Sequence, residues 1–355
     1  MLVFVLATTE AFGLQAGTET LEVQGGCGES KDPWPECAKP AKKYEHIMNT
    51  QPGKQWPEAG GYCGAWSTQR AAMEKGAWIS QQQVRDHTTG KTQHEIATLN
   101  IDLAWENLKL KYEAFDFRNE PVPQLDAIRT FVKKQLAAGH VVVMMIQKVG
   151  NHFPIARRFT LQEGSFSHIV PFVGLMSDHP LTDPTWYDDD YIVHYHDHDV
   201  NDVNYRSMKS LVGTYDNSTG SGCPSQPDTS DSGYICLNPN FGYGWALTGF
   251  NDTRAGLPLS LTVDPSDKEP DRSGCDGRGT TCEDPIPLTG TLHINGLAAG
   301  QKYAIYRWDS VESAFDYTRP ASVHRFTASG PSLNYTDTTT IISNGTTYYR
   351  CVDDL

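Results

Sequence analysis

With 355 residues the chain has room for a full catalytic domain and a smaller second one. It is 38% hydrophobic and 20% charged, with a net charge of -14, which is ordinary for a globular protein but wrong in sign for gripping nucleic acid or an anionic membrane. No apolar run approaches the roughly 20 residues of a bilayer-spanning helix, so neither a nucleic-acid partner nor a transmembrane segment is expected.

The chain opens Met1-Leu-Val-Phe-Val-Leu-Ala-Thr-Thr-Glu-Ala, a short apolar stretch without a basic start. It reads equally as a shortened signal peptide or as a buried strand. Residues 1–43 as a whole look like an N-terminal arm, Gly/Pro-rich and closed by one stapled loop. Cys27/Cys37, Cys223/Cys236 and Cys275/Cys282 are three close pairs in loops rich in Gly, Pro, Asp and Ser. Such loops have little core to hold them, and short disulfides suit them. Asn217, Asn251, Asn334 and Asn344 each begin an Asn-x-Ser/Thr glycosylation signal. Together these features point to a secreted, disulfide-bearing glycoprotein.

Between residues 44 and 255 the pattern runs from helical to extended. A helix is predicted to start at Cys63 and pass through Trp66, Ala71, Ala72 and Met73. A second is predicted over His94–Phe115, where Ile96, Leu99, Leu103, Ala104, Leu108 and Leu110 recur at near-helical spacing. A third is predicted over Pro123–Ala138, ended by Gly139. Then β-branched and apolar runs predict strands at His140–Ile146, Ser167–Gly174, Tyr191–His196 and Phe241–Leu247. Residues 256–355 show only short strands separated by turns, at Leu257–Val263, Leu288–Ile294, Gly300–Arg307, Val323–Thr327 and Thr346–Val352. They read as a small all-β sandwich.

The chemistry centres on Gly60-Gly-Tyr-Cys63-Gly-Ala-Trp66, a glycine-rich turn running into a helix. A thiol at a helix N-terminus faces unpaired amide N–H groups and the positive end of the helix dipole, which favour the thiolate. The same amides suit a developing oxyanion. Among twelve histidines, His168 is the best partner because it heads the apolar strand His-Ile-Val-Pro-Phe-Val-Gly174 and is held there with few rotamers. The next strand, Tyr191-Ile-Val-His-Tyr-His-Asp197, ends in an acid suited to orient the imidazole, with Asp199 as the alternative.

This arrangement resembles the C39-like branch of the papain-like cysteine peptidases over about residues 44–250. The resemblance implies an α+β fold with N-terminal helices packed on an antiparallel sheet, followed here by the sandwich. It implies a Cys63–His168–Asp197 triad acting on a peptide or amide without a cofactor. It further implies an upstream glutamine as oxyanion donor, for which Gln55 fits and Gln51 is the alternative. Aligned instead on Trp66, the nucleophile position falls on Ala65 and the domain is catalytically silent, with an adhesive or structural role.

Other readings rest on other residues. Cys63 and Cys351 remain over when the close pairs are matched, so a disulfide between them is an alternative to a nucleophile. His194, His196 and His198 alternate along one strand and share a face, which makes a zinc site a third reading. The run Trp186–Tyr191 and the acids Asp264, Asp267, Asp271 and Asp276 have the oxygen donors calcium takes, without an EF-hand order. Tyr303, Tyr306 and Trp308 serve either as a glycan platform or as sandwich core, and the C-terminal domain is expected to meet a glycan or protein partner.

Overall fold

The computed structural model describes residues 39–53, 55, 62–88, 101–116, 125–148, 166–195, 203–213, 235–237, 243–264 and 286–354. Over these the chain is mixed α+β and rich in antiparallel sheet. The first half is β1 (Tyr44–Ile47), α1 (Cys63–Met73), β2 (Ala77–Ile79), α2 (Gln81–Asp86), α3 (Ile101–Asn107), β3 (Leu110–Asp116), α4 (Leu125–Ala137) and β4 (Val142–Lys148). There follow β5 (Phe166–Ser177), β6 (Tyr191–Tyr195), β7 (Val203–Ser207), β8 (Leu211–Gly213), β9 (Ile235–Leu237) and β10 (Tyr243–Phe250). The last part is β11 (Leu259–Asp264), β12 (Pro287–Asn295), β13 (Lys302–Trp308), β14 (Ser322–Thr327), β15 (Ser332–Thr336), β16 (Ile341–Ile342) and β17 (Thr346–Asp353).

The large sheet runs β3-β10-β4-β5-β6-β7, with β1 added to β5 and the parallel pair β8 and β9 joined through β4. Its centre is apolar on both faces. Val142, Val143 and Met144 of β4 and Phe172, Val173 and Leu175 of β5 are fully buried, as expected for strands covered by helices. Helix α1 lies on β4 and β5, and α4 covers the same sheet. Helix α4 presents Ile128, Val132 and Leu136 to the core at the 4-residue spacing of one helix face.

The helix predicted over His94–Phe115 is a correction. Of that span, residues 94–100 lie outside the described residues, Ile101–Asn107 is helical, and Leu110–Asp116 is strand β3 paired with β10. The break is at Lys109, whose φ of 58° ends the helix in the left-handed region. Leu108 and Leu110 are both buried, one closing the helix and one opening the strand, so their spacing mimicked a continuing helix.

The C-terminal strands form two four-stranded sheets, β11-β12-β15 with β16 on β12, and β14-β13-β17-β2. Leu261, Leu292 and Ile294 of the first meet Tyr303, Ile305, Tyr349 and Cys351 of the second in one core, which makes the pair a sandwich. Its fourth strand is β2, from Ala77–Ile79, paired with β17 through Thr346↔Ile79. Met73 and Trp78 enter the sandwich core, while Trp308, Val311, Ala314 and Tyr348 enter the core of the large sheet. The two halves are therefore stitched together by exchanged elements. Tyr303 and Trp308 are 3% and 0% exposed, so they fill cores and do not form a platform.

Candidate active site

Cys63 is the first residue of α1, partly exposed and packed against the main core. Tyr62 is the N-cap and its side chain makes no capping bond to the helix. The N–H groups of a helix's first turn lie at the end where the thiol stands. Ala65, the alternative nucleophile position, is fully buried inside the helix. Tyr62 is held from the far side by Arg85 of α2, whose guanidinium carbon stands 3.3 Å from the ring centroid.

Helix α1 is fixed to its surroundings by polar side chains on the face that begins at Cys63. Ser67, one turn on, donates to the carbonyl of Ile169 at 3.1 Å. Ile169 follows His168 on β5, and His168 stands opposite Ile146 of β4. Thr68 accepts from Trp105 Nε1 of α3 at 2.8 Å. On the other flank of the same face, Trp66 Nε1 donates to the Gly53 carbonyl at 2.9 Å. Arg70, fully buried, donates from Nη1 to the carbonyls of Gln51 at 3.3 Å and Pro52 at 3.4 Å. Residues 63, 66, 67 and 70 are neighbours on a helix surface. Helix α1 thus lies between a strap, residues 50–53, and the His168 end of β5.

The strap is also tied to β6. Tyr195, the last residue of that strand, donates its hydroxyl to the Thr50 carbonyl, and Thr50 Oγ1 donates to the Arg70 carbonyl at 2.8 Å. Glu74 at the far end of α1 accepts from the Thr50 amide at 3.1 Å. Burial pushes the Glu74 carboxyl up to about 7, against the attraction of Lys75 and the amides of Thr50 and Asn49.

The structure therefore sets α1, which starts at Cys63, between residues 50–53 and the β5 residue that follows His168; the side chain of His168 lies outside the described residues. Asp197 and Asp199 lie outside the described residues, just beyond the end of β6. Of the two glutamines, Gln51 uses its side-chain oxygen on the Val263 amide of β11 at 2.8 Å. Gln55 has its Oε1 buried with no hydrogen-bond partner among the described residues. Cys63 and Cys351 are both thiols and do not bridge each other. Cys351 is fully buried in β17, and burial, foremost, with the nearby Asp353 pushes its thiol up to about 12, far from a reactive thiolate.

His196 and His198 fall outside the described residues, and His194 is 2% exposed with its ring 6.0 Å from that of Phe172. Among the described residues no group of three His, Cys, Asp or Glu side chains is placed to hold a metal. Three acids before β6 are engaged elsewhere. Asp190 pairs with buried Lys133 at 2.9 Å, Asp189 pairs with Lys42 at 3.0 Å, and Asp183 accepts from Tyr187 at 2.8 Å. Asp264 is exposed at the end of β11, and Asp267, Asp271 and Asp276 lie outside the described residues. So do Asn217, Cys27, Cys37, Cys223, Cys275 and Cys282; Cys236 is placed by its backbone on β9. Asn251 and Asn334 are exposed and Asn344 is half-exposed.

Sequence reasoning passed over Gly53, Arg70, Glu74 and Tyr195. The available signal was Arg70, a charged residue on a helix whose Trp66, Ala71, Ala72 and Met73 read as core. Comparison with protein-family models, curated proteins and solved structures found no match for this chain.

Proposed function

We propose that the chain is a secreted thiol hydrolase of papain-like, C39-like layout, cleaving a peptide or amide by acyl transfer to Cys63. The observation that supports this most is the Ser67–Ile169 hydrogen bond, which sets the turn carrying Cys63 against the residue next to His168. In the proposed reaction the Cys63 thiol gives its proton to His168 and its sulfur attacks the acyl carbon. The oxyanion is met by the Cys63 amide and Gln55. His168 protonates the leaving amine, and water then hydrolyses the thioester with His168 again taking the proton. Asp197 orients His168. The exposed Asn251 and Asn334 suit glycosylation, and the sandwich suits a glycan or protein partner.

The test is the pH dependence of iodoacetamide labelling at Cys63 in the native protein and in His168→Ala. Rapid labelling well below the ordinary thiol pKa of about 8.5, lost in the variant, is expected. Cys351 serves as the internal silent thiol. Labelling of Cys63 only at alkaline pH, unchanged in His168→Ala, would leave a catalytically silent module.

A further inference from the structure

Four consecutive carbonyls of the strap each accept a side-chain hydrogen bond: Thr50 from Tyr195, Gln51 and Pro52 from Arg70, and Gly53 from Trp66. Residues 50–53 belong to no helix or strand. The path of residues 50–53 is therefore written by side chains from α1 and β6, and Gln55 follows two positions on in the sequence. A buried guanidinium is costly unless its donors are used. An apolar side chain at position 70 would pack on the core at lower cost but would hold no carbonyl.

Gly53 shows how closely the grip is fitted. A Cβ there would stand 2.5 Å from Nη1 and 2.6 Å from Cζ of Arg70. A side chain at position 53 would therefore have to push the guanidinium aside. Arg70 Nη2 is in turn aimed by Gln69 Oε1 at 2.5 Å.

We propose that Arg70, seated under Gly53, is a positioning residue that fixes the Gln55 amide at the head of α1 for oxyanion stabilisation. The inference rests on the thiol-hydrolase reading, and its test uses two reagents that differ only in whether an oxyanion forms. With p-nitrophenyl acetate, Cys63 sulfur adds to the carbonyl carbon, the oxyanion collapses with loss of p-nitrophenolate, and an acetyl thioester remains. The thiol proton passes to His168. Iodoacetamide alkylates the same sulfur by displacing iodide, with no oxyanion.

Gly53→Ala and Arg70→Met should lower the acylation rate about 10- to 100-fold while alkylation stays within about twofold. Gln55→Ala should do the same, and Gly53→Ala should add nothing in that background, a non-additivity that general loosening does not produce. Gly256→Ala is the matched control. A Cβ there would meet Arg350 Nη2 at 2.3 Å, a comparable clash between β10 and β11, and the acylation-to-alkylation ratio should not move. A reactive Cys63 whose ratio is unchanged in folded Gly53→Ala, or a full additive loss in the double variant, overturns the positioning role alone. Ordinary thiol behaviour in the wild type overturns the hydrolase reading, and the positioning role with it.

Discussion

Two buried arginines anchor two unlike regions. In the sandwich, Arg307 donates to the carbonyls of Thr339 and Thr340 at 2.6 and 2.8 Å, pinning the turn between β15 and β16. On α1, Arg70 pins the strap by the same means. The networks differ in what closes them. Arg307 also meets Asp309 at 2.7 Å and Asp337 at 2.8 Å, and Asp337 takes further bonds from Tyr349 and the Thr339 amide. Around the strap, Gln55 Oε1 and Gln69 Nε2 are buried without a hydrogen-bond partner among the described residues. A network that satisfies its own members has no capacity left for a substrate. Polar atoms left over in a buried place are costly, and a site that must bind something is where that cost has a use.

The comparison breaks most sharply at Arg307. Its side chain is 3% exposed and that of Asp337 5%, so removing the cation strands a buried carboxylate. Arg307→Ala should cost about 3–5 kcal/mol in denaturant unfolding while leaving Cys63 alkylation of the folded fraction unchanged. Burial alone would raise Asp337, but the Thr339 amide, Arg307 and Tyr349 hold it below its ordinary value. That contribution is present above the unfolded-state pKa of about 3.9 and is lost as pH falls through the lower folded value. A cost under about 1 kcal/mol would show that the charges are not what closes this network.

A smaller and oppositely signed effect sharpens the other side. Glu74 titrates near 4.5 when unfolded and near 7 when folded. It therefore favours the folded state at low pH, and stability falls as pH rises from 4.5 through 7, by up to about 3 kcal/mol. His140, beyond Lys75, is pushed down to about 4, first by burial and then by the charge of Lys75. Its effect runs the other way, with stability rising between pH 4 and 6.5. The two nearly cancel in the wild type. Glu74→Gln should unmask the rising limb in unfolding experiments across that window. A profile for Glu74→Gln parallel to wild type would remove Glu74 as a titrating anchor of the strap.

The sequence was legible where one neighbour sets the structure. Glycines and an apolar face made α1 readable to the residue, Cys63–Met73, and β-branched runs made β4, β5 and β6 readable to within a few positions. It was illegible where distant segments decide. Ala77–Ile79 is three apolar residues that any core accepts, and only β17, more than 260 residues on, makes them a strand of the sandwich. Helix α3 and strand β3 merged into one prediction because the Lys109 turn has no glycine to announce it. For the candidate site, the sequence singled out Cys63 and His168 by residue type and setting. The residues that hold the strap did not stand out, since an arginine following Ser67, Thr68 and Gln69 gains meaning only when Gly53 is seen beneath it.

The smallest predicted effect tests how far support for Cys63 reaches. Ser80 is the N-cap of α2, where its hydroxyl accepts from the Gln83 amide at 3.1 Å, and its own amide donates to Gly345 of the sandwich at 3.1 Å. Helix α2 is only six residues long, too short to persist without its cap and its packing. Its Arg85 covers Tyr62, the residue before the candidate nucleophile. Ser80→Ala should cost about 1 kcal/mol and Ser80→Gly a few tenths, read as a shift in denaturant midpoint at constant slope. Equal costs for the two would mean that packing rather than the cap holds α2. The ordering Ala above Gly would trace support for the Cys63 turn through Tyr62 and Arg85 to a single hydroxyl against the sandwich.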